Sequence, residues 1–445
     1  MIIDKVHIKE IIGGRYDNSY VLYHHRLSTY KYPTEPLHKF LVGKPQYGSG
    51  EAGIPRENYD SPRYIRITDI DENGFLIDDI GVTAKNIDKK YILRNNDILI
   101  ARSGNTVGKS YIHKTKIVNG TCFFAGYLIR FIIDSSIIIP DYVYVFTKLP
   151  VFYNWIKVTQ RVVGQPNINA EEYSCLPVPV PPAKIQQEII NIFLHAQKAR
   201  LDKIQEAKQI LNSIDDYLFD ILHIGKLSNN KKRKVALKQK VSSIIGGRFD
   251  PMQFHYERIE IVNRIKQGKW CRLKDVVNNV KTIISSLSQD NVYIGMENID
   301  GSSGDYCPSK EKESISSAAK FKNGDILFPK LRPYLNKVYR AQFDGCCSTE
   351  FHVFEAHDIN PDFLTIVLRS NLILAQTKHL MTGNTLPRLQ TTDIDNLIIP
   401  YPNITIQEDI VNSVSSIKNK AKRLKEEGDV LLDEAKQRIE KIILE

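Results

Sequence analysis

Cysteine is scarce in this 445-residue sequence. The six present, Cys122, Cys175, Cys271, Cys307, Cys346 and Cys347, form no CxxC pair and stand near no histidines at zinc spacing. That excludes a disulfide scaffold and a structural zinc site, and it points to a reducing, cytoplasmic setting. Long apolar runs are also missing. None reaches the roughly 20 residues of a membrane span, and the opening MIIDKVHIKE has no apolar leader core. We therefore expect no membrane partner.

Catalytic signatures are lacking too. The stretch RSGNTVGKS (Arg102–Ser110) carries a GKS, but too few residues separate Gly104 from Gly108 for a phosphate-cradling loop. YGSGEAG (Tyr47–Gly53) is glycine-rich without the strand–helix context of a dinucleotide fingerprint. No [DN]PP[YF] stretch, the mark of adenine methyltransferases, occurs. Glu434–Ala435–Lys436 has the ExK of a nuclease, but it sits inside a helical pattern and reads as an exposed charged face. The sequence predicts no catalytic residue, no cofactor and no metal.

What is present is positive charge and repetition. Lys and Arg number 61 against 51 Asp and Glu, a formal net charge of +10 that favours a polyanionic partner. IIGGRYD (Ile11–Asp17) recurs as IIGGRFD (Ile244–Asp250). RYIRITDIDENG (Arg63–Gly74) is answered by VYIGMENIDGSSG (Val292–Gly304), and LRNNDILIARSG (Leu93–Gly104) by FKNGDILFPKLRP (Phe321–Pro333). VVGQPNINAEEYSCLPVPVPPAKIQQEII (Val162–Ile190) is answered by MTGNTLPRLQTTDIDNLIIPYPNITIQEDIV (Met381–Val411). Four blocks recur in one order while their offset drifts from 233 to 221 residues, as loop insertions and deletions produce. The chain is a tandem duplication.

Each copy begins with short Tyr-, Ile- and Val-rich runs punctuated by Gly, Asn, Asp and Pro, which read as strands. A helix is expected over Ile139–Ile156, with a counterpart over Asn360–Thr377. Each globe is thus α+β. A proline-rich connector, LPVPVPPAK or IIPYPNIT, closes the globe. A long helical pattern follows. Ile185, Ile189, Ile192, Ala196 and Ala199 alternate fours and threes, as do Ile410, Val414, Ile417, Ala421 and Leu424. This is a coiled-coil seam, and each helix offers the other a partner of matching length. Its phase slips between Ala199 and Ile204 and near Gly428. The boundaries expected are 1–182 for the first globe, 183–224 for its helix, 225–240 for a basic linker with the run Lys231–Lys234, 241–402 for the second globe and 403–445 for its helix.

The globes' loops KPQYGSGEAG, ARSGNTVGKS, PKLRPYLNK and GNTLPRLQ mix cations with amides, hydroxyls and tyrosines. Such loops neutralise phosphates and reach base edges, although polar turn residues alone also explain any single one.

These blocks, in this order, resemble the specificity subunits of type I restriction–modification systems over nearly the whole chain. The resemblance rests on GGRFD ahead of a globe, QYGSGEAG…RYIRITDI, NNDILIARSGNTVGK, the loops from Gly164 and Gly383, and the proline-rich exit into IQQEI. The second copy departs most, with FPKLRPYLNK in place of IARSGNTVGK. The resemblance implies two target-recognition domains, each reading half of a bipartite double-stranded DNA site. It implies that the two helices pack antiparallel as a pseudo-twofold spacer and dock two methyltransferase subunits, which bind S-adenosylmethionine and methylate adenine. Restriction motor–nuclease subunits join them. Its candidate DNA-contacting residues are Tyr47, Ser49, Arg102, Ser103, Asn105, Lys109, Gln165 and Asn167 in the first domain. In the second they are Lys330, Arg332, Tyr334, Asn336, Lys337, Asn384 and Arg388.

Three rivals stay open at the level of sequence. They are a specificity chain for a fused, type IIB-like methyltransferase–nuclease, a stand-alone sequence-specific DNA-binding protein, and a scaffold with no DNA role. Gly13–Gly14 and Gly246–Gly247 read as tight backbone turns at the start of each globe, with Arg15, Asp17, Arg248 and Asp250 fixing them.

Overall fold

The computed structural model describes residues 30–77, 80–118, 120–160, 166–225, 251–285, 292–308, 317–383 and 386–445. The two GGR heptads, the run Lys231–Lys234, Gln165 and Asn384 lie outside them. The chain divides into two compact units, Met1–Asp202 with Glu427–Glu445, and Lys203–Glu426.

The first unit's strands are β1 (Thr34–Pro36), β2 (Gln46–Tyr47), β3 (Gly53–Pro55), β4 (Arg63–Ile65), β5 (Val82–Ala84), β6 (Ile98–Ala101), β7 (Ser110–Ile112), β8 (Cys122–Phe124), β9 (Leu128–Phe131) and β10 (Pro177–Pro179). Its helices are α1 (Pro140–Phe146), α2 (Pro150–Thr159), α3 (Ala170–Ser174) and the start of α4 (Ala183–Ile221). Among the described residues they form two four-stranded sheets, ordered β2-β9-β6-β7 and β3-β5-β4-β8, and the pair β1-β10. Proline is tolerated in β1 and β10 because that ladder has only two strands, so its outer edges need no partner.

The expected helix over Ile139–Ile156 is two helices. Leu149 is extended (φ −85°, ψ 151°) ahead of Pro150, which opens α2. The proline ring forces that geometry on its predecessor and removes the N–H that a continuing helix would use.

The second unit repeats the plan. Its strands are β11 (Trp270–Arg272), β12 (Val277–Val280), β13 (Ile283–Ile284), β14 (Tyr293–Ile294), β15 (Ala318–Phe321), β16 (Ile326–Pro329), β17 (Tyr339–Arg340), β18 (Gly345–Cys347), β19 (Phe351–Ala356) and β20 (Ile398–Pro400). Its own helices are α5 (Tyr256–Ile265), α6 (Pro361–Arg369), α7 (Asn371–Thr377), α8 (Thr391–Asp395) and the start of α9 (Ile404–Leu444). The sheet β12-β19-β16-β17 matches β2-β9-β6-β7 strand for strand. The other sheet differs: β15 lies beside β18, whereas β5 lies beside β4. Here too the expected helix over Asn360–Thr377 is broken, at extended Ser370. Asp215 of α4 caps α7 there, accepting the Asn371 backbone N–H at 2.8 Å and its side-chain amide at 2.7 Å.

The shared NND/NGD motif has a local cause. Asp97 Oδ2 accepts the Arg94 N–H at 2.9 Å and Asp325 Oδ2 accepts the Lys322 N–H at 2.7 Å, each closing the turn into a central strand. Both carboxyls are buried, which raises their pKa.

Each unit contains a stretch of both long helices, packed antiparallel. In the first, Arg200 meets Asp429 at 2.7 Å, while Ile189 and Phe193 share a core with Leu432, Ile439 and Ile443. In the second, Ala207 packs with Ala421 and Leu424, and Leu218 with Ile410 and Val414. The alternating seam carries helix-to-helix contact. A second stripe that it does not predict, Ile190 and Phe193, packs into the first globe's core with Tyr142, Phe146 and Phe152. Burying each such side chain contributes about 1.5–3 kcal/mol, so these helices are part of the globes' cores rather than a free coiled coil. The slip near Gly428 is also explained: the Arg200 Cα and Cγ lie 3.4 and 3.2 Å from where a Cβ on Gly428 would stand, so only glycine admits this approach without displacement. No helix of the described residues is long and apolar enough to cross a membrane.

Candidate nucleic-acid interface

In both units the loop after the central strand is zipped to a loop arriving much later in the chain. Beyond β6, Ser103 pairs with Asn167 in a β-bridge. Gly104 N–H donates to Pro166 O at 2.9 Å and Ile168 N–H to Arg102 O at 2.9 Å. The first loop passes through positive φ at Gly104 (+70°) and Gly108 (+88°) around a 3₁₀ turn. Tyr47, at the end of β2, closes the rim: its hydroxyl accepts the Ala170 N–H at 3.1 Å, and the Arg102 guanidinium lies 5.0 Å from its ring centroid. Tyr47, Asn105 and Asn167 are exposed. The fold therefore gathers Tyr47, Arg102, Ser103, Asn105 and Asn167 on one edge. Among the described residues no acceptor meets the buried Arg102 Nε. An unmet donor of that kind costs about 1–3 kcal/mol, which an external acceptor would recover.

The other two described first-domain candidates face inward. Ser49 is 5% exposed. Its hydroxyl accepts the Glu51 N–H at 3.2 Å and its carbonyl accepts the Tyr64 hydroxyl at 2.8 Å. Lys109 Nζ bonds Glu72 at 3.0 Å. The adjacent Ser110 is fully buried against Thr147, so the GKS hydroxyl is closed to a phosphate.

The second unit builds the same zipper. Arg332 N–H donates to Pro387 O at 2.8 Å, Leu389 N–H donates to Lys330 O at 3.0 Å, and Leu331 bridges Arg388. Aligned without gaps from the shared Asp-Ile-Leu, Arg332 occupies the place of Gly104 and Asn336 that of Gly108. Both keep the left-handed backbone, at φ +46° and +53°. An arginine held there costs roughly 1–2 kcal/mol that glycine would not. Tyr334 projects from this turn, half exposed. Arg388 grips Glu350 with two bonds of 3.0 and 2.7 Å, and that contact lowers the Glu350 pKa. Lys330 Nζ donates to Thr349 O at 2.7 Å, and its partial burial lowers its pKa. Asn336 and Lys337 turn back into the fold: the Asn336 amide donates to Arg369 O at 2.8 Å, and Lys337 Nζ donates to Met296 O at 2.7 Å and Ile299 O at 3.0 Å.

Two residues at these edges escape the sequence reading. Tyr127, 62% exposed in the β8–β9 turn, gives its carbonyl to the Arg102 N–H at 3.1 Å. An aromatic at a hairpin tip is a signal that could have found it. Glu350 pairs with Arg388, and nothing in the local sequence marks it. Elsewhere, His255, Glu257 and His379 converge, with His379 Nε2 2.9 Å and His255 Nδ1 4.0 Å from Glu257 Oε2. Their imidazoles stack at a centroid distance of 3.5 Å, and Lys378 also reaches Glu257 at 3.3 Å. Ring lone pairs lie in the ring planes, so stacked planes do not converge on one ion, and the cluster reads as a hydrogen-bonded contact between α5 and the turn after α7.

Sequence comparison adds an independent finding. Residues 54–215 and 265–429 match the profile of a family described as "Type I restriction modification DNA specificity domain". The chain is 21% identical over 367 residues to the type I restriction enzyme MjaVIII specificity subunit of Methanocaldococcus jannaschii, covering 80% of each. It is 26% identical over 152 residues to the type I restriction enzyme EcoDI specificity subunit of Escherichia coli, covering 33% of this chain and 34% of the other. Among solved structures, a type I restriction-modification S subunit from M. genitalium aligns over 93% of this chain and 96% of its own, with 11% identity and a TM-score of 0.38.

Proposed function

The chain belongs to the type I restriction-modification DNA specificity family and is a specificity subunit of such a system; from that premise we propose that each globe reads one half of a bipartite duplex site through its zipped-loop edge. The observation that carries this is the zipper built twice on one backbone plan and dressed with different side chains. The first edge presents Tyr47, Arg102, Ser103, Asn105 and Asn167. The second presents Arg332, Tyr334 and Arg388, with Lys330 beneath. Guanidinium and amide groups pair with base edges in the major groove, while cations neutralise phosphates. Gln165 and Asn384, also candidates, lie outside the described residues. Ser49, Lys109, Asn336 and Lys337 act by holding those loops in shape.

In this reading the chain carries recognition and no chemistry. The long helices dock two methyltransferase subunits that methylate adenine with S-adenosylmethionine, and restriction motor–nuclease subunits complete the complex. The experiment is a binding selection from randomised duplexes with the chain and its methyltransferase partners. Arg102→Ala with Asn105→Ala should relax positions in one half of the selected site only, and Arg332→Ala positions in the other half only. Uniform weakening for every sequence by both variants would sink the assignment of base reading.

A further inference from the structure

A cleft in the second unit, bordered by Asn336 at the end of the zipped loop, is lined by several cations. Its volume is about 390 Å³, and it lies between the Gly301–Ser303 turn, the end of α6 and the second unit's stretches of α4 and α9. Ile204, Leu211, Ile214, Ile366 and Val414 make an apolar floor. Lys208, Lys418, Lys425 and Arg369 line it with positive charge.

Two of the carboxylates nearby are already engaged. Asp215 caps Asn371, and Asp300 accepts from Ser302 and Ser303. Arg369 spends its donors on the carbonyls of Asn336, Val338 and Gly301. Among the described residues, neither Lys208, Lys418 nor Lys425 forms an ion pair. Lys418 is half-buried; Arg369 repels it while Asp305 and Asp362 attract it. Cations lining one cleft raise the local potential and concentrate an anion.

The duplication supplies an internal comparison. In the first unit the cleft against α1 carries Phe75, Leu76, Ile77 and Phe193 in its lining, and its cations are engaged: Lys114 pairs with Asp141 at 2.7 Å, Arg56 donates to the carbonyls of Ser61, Ile80 and Tyr59, and Arg63 donates to Ile77 O at 3.0 Å. Lys418 stands where the first helix has Gln197, and Lys425 where it has Ile204. Lys418 and Lys425 are thus not repeated at the matching positions of the first long helix.

We propose that this cleft binds a phosphate group, with Lys418 and Lys425 as its charge partners and Lys208 at the rim. The phosphate comes from a small phosphorylated molecule or from the DNA backbone. The test is thermal unfolding and calorimetry of the full chain in inorganic phosphate against chloride at equal ionic strength. Phosphate should raise the unfolding temperature, and Lys418→Met should abolish the rise and weaken phosphate binding at least tenfold. Lys425→Gln, at a more open position, should weaken it at least threefold and serves if the first variant folds poorly. Competition assigns the source: a site-free duplex that displaces phosphate marks the backbone, and a mononucleotide that binds unaffected by duplex marks a small ligand. No rise in the native chain, or an equal rise in both variants, overturns the proposal.

Discussion

The Gln186 side-chain carbonyl accepts the Ile139 backbone N–H at 3.0 Å, while its amide donates to Pro181 O at 2.9 Å. Gln407 does the same in the second unit, accepting the Asn360 N–H at 2.9 Å and donating to Pro402 O at 2.9 Å. Each glutamine is buried. Each therefore ties three things together: the first turn of a long helix, the proline connector before it, and the residue that begins the globe's own helix. Proline connectors lack N–H donors, so their carbonyls need partners from elsewhere, and this one side chain supplies the acceptor and the donor at once.

Gln186→Leu would leave an amide and a carbonyl without partners. We expect a loss of about 1–3 kcal/mol in unfolding free energy, measured by denaturant titration, with the equivalent effect for Gln407→Leu. A loss near zero would mean that water replaces both bonds.

Arg332→Gly should have effects of opposite sign. Removing the left-handed strain should stabilise the chain by about 1 kcal/mol. Removing the guanidinium should weaken binding to the cognate duplex by roughly 1–3 kcal/mol. Stability and affinity measured on the same preparation decide it. A variant that binds as well as the native chain would show that the strain serves something else.

Burial holds the imidazoles of His113 and His352 neutral, each with a pKa lowered to about 4. The unfolded chain takes up those protons near the ordinary histidine value of roughly 6.5. Between these limits the unfolded state binds more protons, so stability falls as pH falls from about 6.5 towards 4. The contribution is up to roughly 3 kcal/mol per histidine at about 1.4 kcal/mol per unit. Unfolding free energies from pH 7 to 4.5 should show the decline, and His352→Asn should flatten part of it. Raised carboxyls at Asp97 and Asp325 act oppositely, each protonating in the folded state first as pH falls.

DNA affinity should fall steeply with salt, as phosphate contact requires. Tyr334→Ala should weaken binding while leaving the slope of log affinity against log salt unchanged. Arg102→Ala should flatten that slope by about 1 if its guanidinium also meets a phosphate. Binding insensitive to salt would favour a scaffold with no role on DNA.

The duplication and the two long helices were legible because they are written in order and period, which are local properties. The break at Pro150 is marked by its proline, but the apolar pattern over Ile139–Ile156 runs on across it. The stripe Ile190 and Phe193 was not legible, because the seam residues satisfy the periodicity without it and only the globe's core reveals its partner. The loops were legible as loops. Which way their side chains turn was not: Lys337 looks like a phosphate contact until Met296 and Ile299 come within reach, and Ser49 until the Tyr64 hydroxyl lies against its carbonyl. Arg332 became informative only beside Gly104.

The central claim is that this chain chooses the DNA sequence on which its partners act. The most direct measurement is a genome-wide map of methylated adenines in cells with and without its gene. One bipartite motif should disappear with the gene, return with it, and change in a single half when Arg102 and Asn105 are replaced. An unchanged methylation pattern in its absence would contradict it.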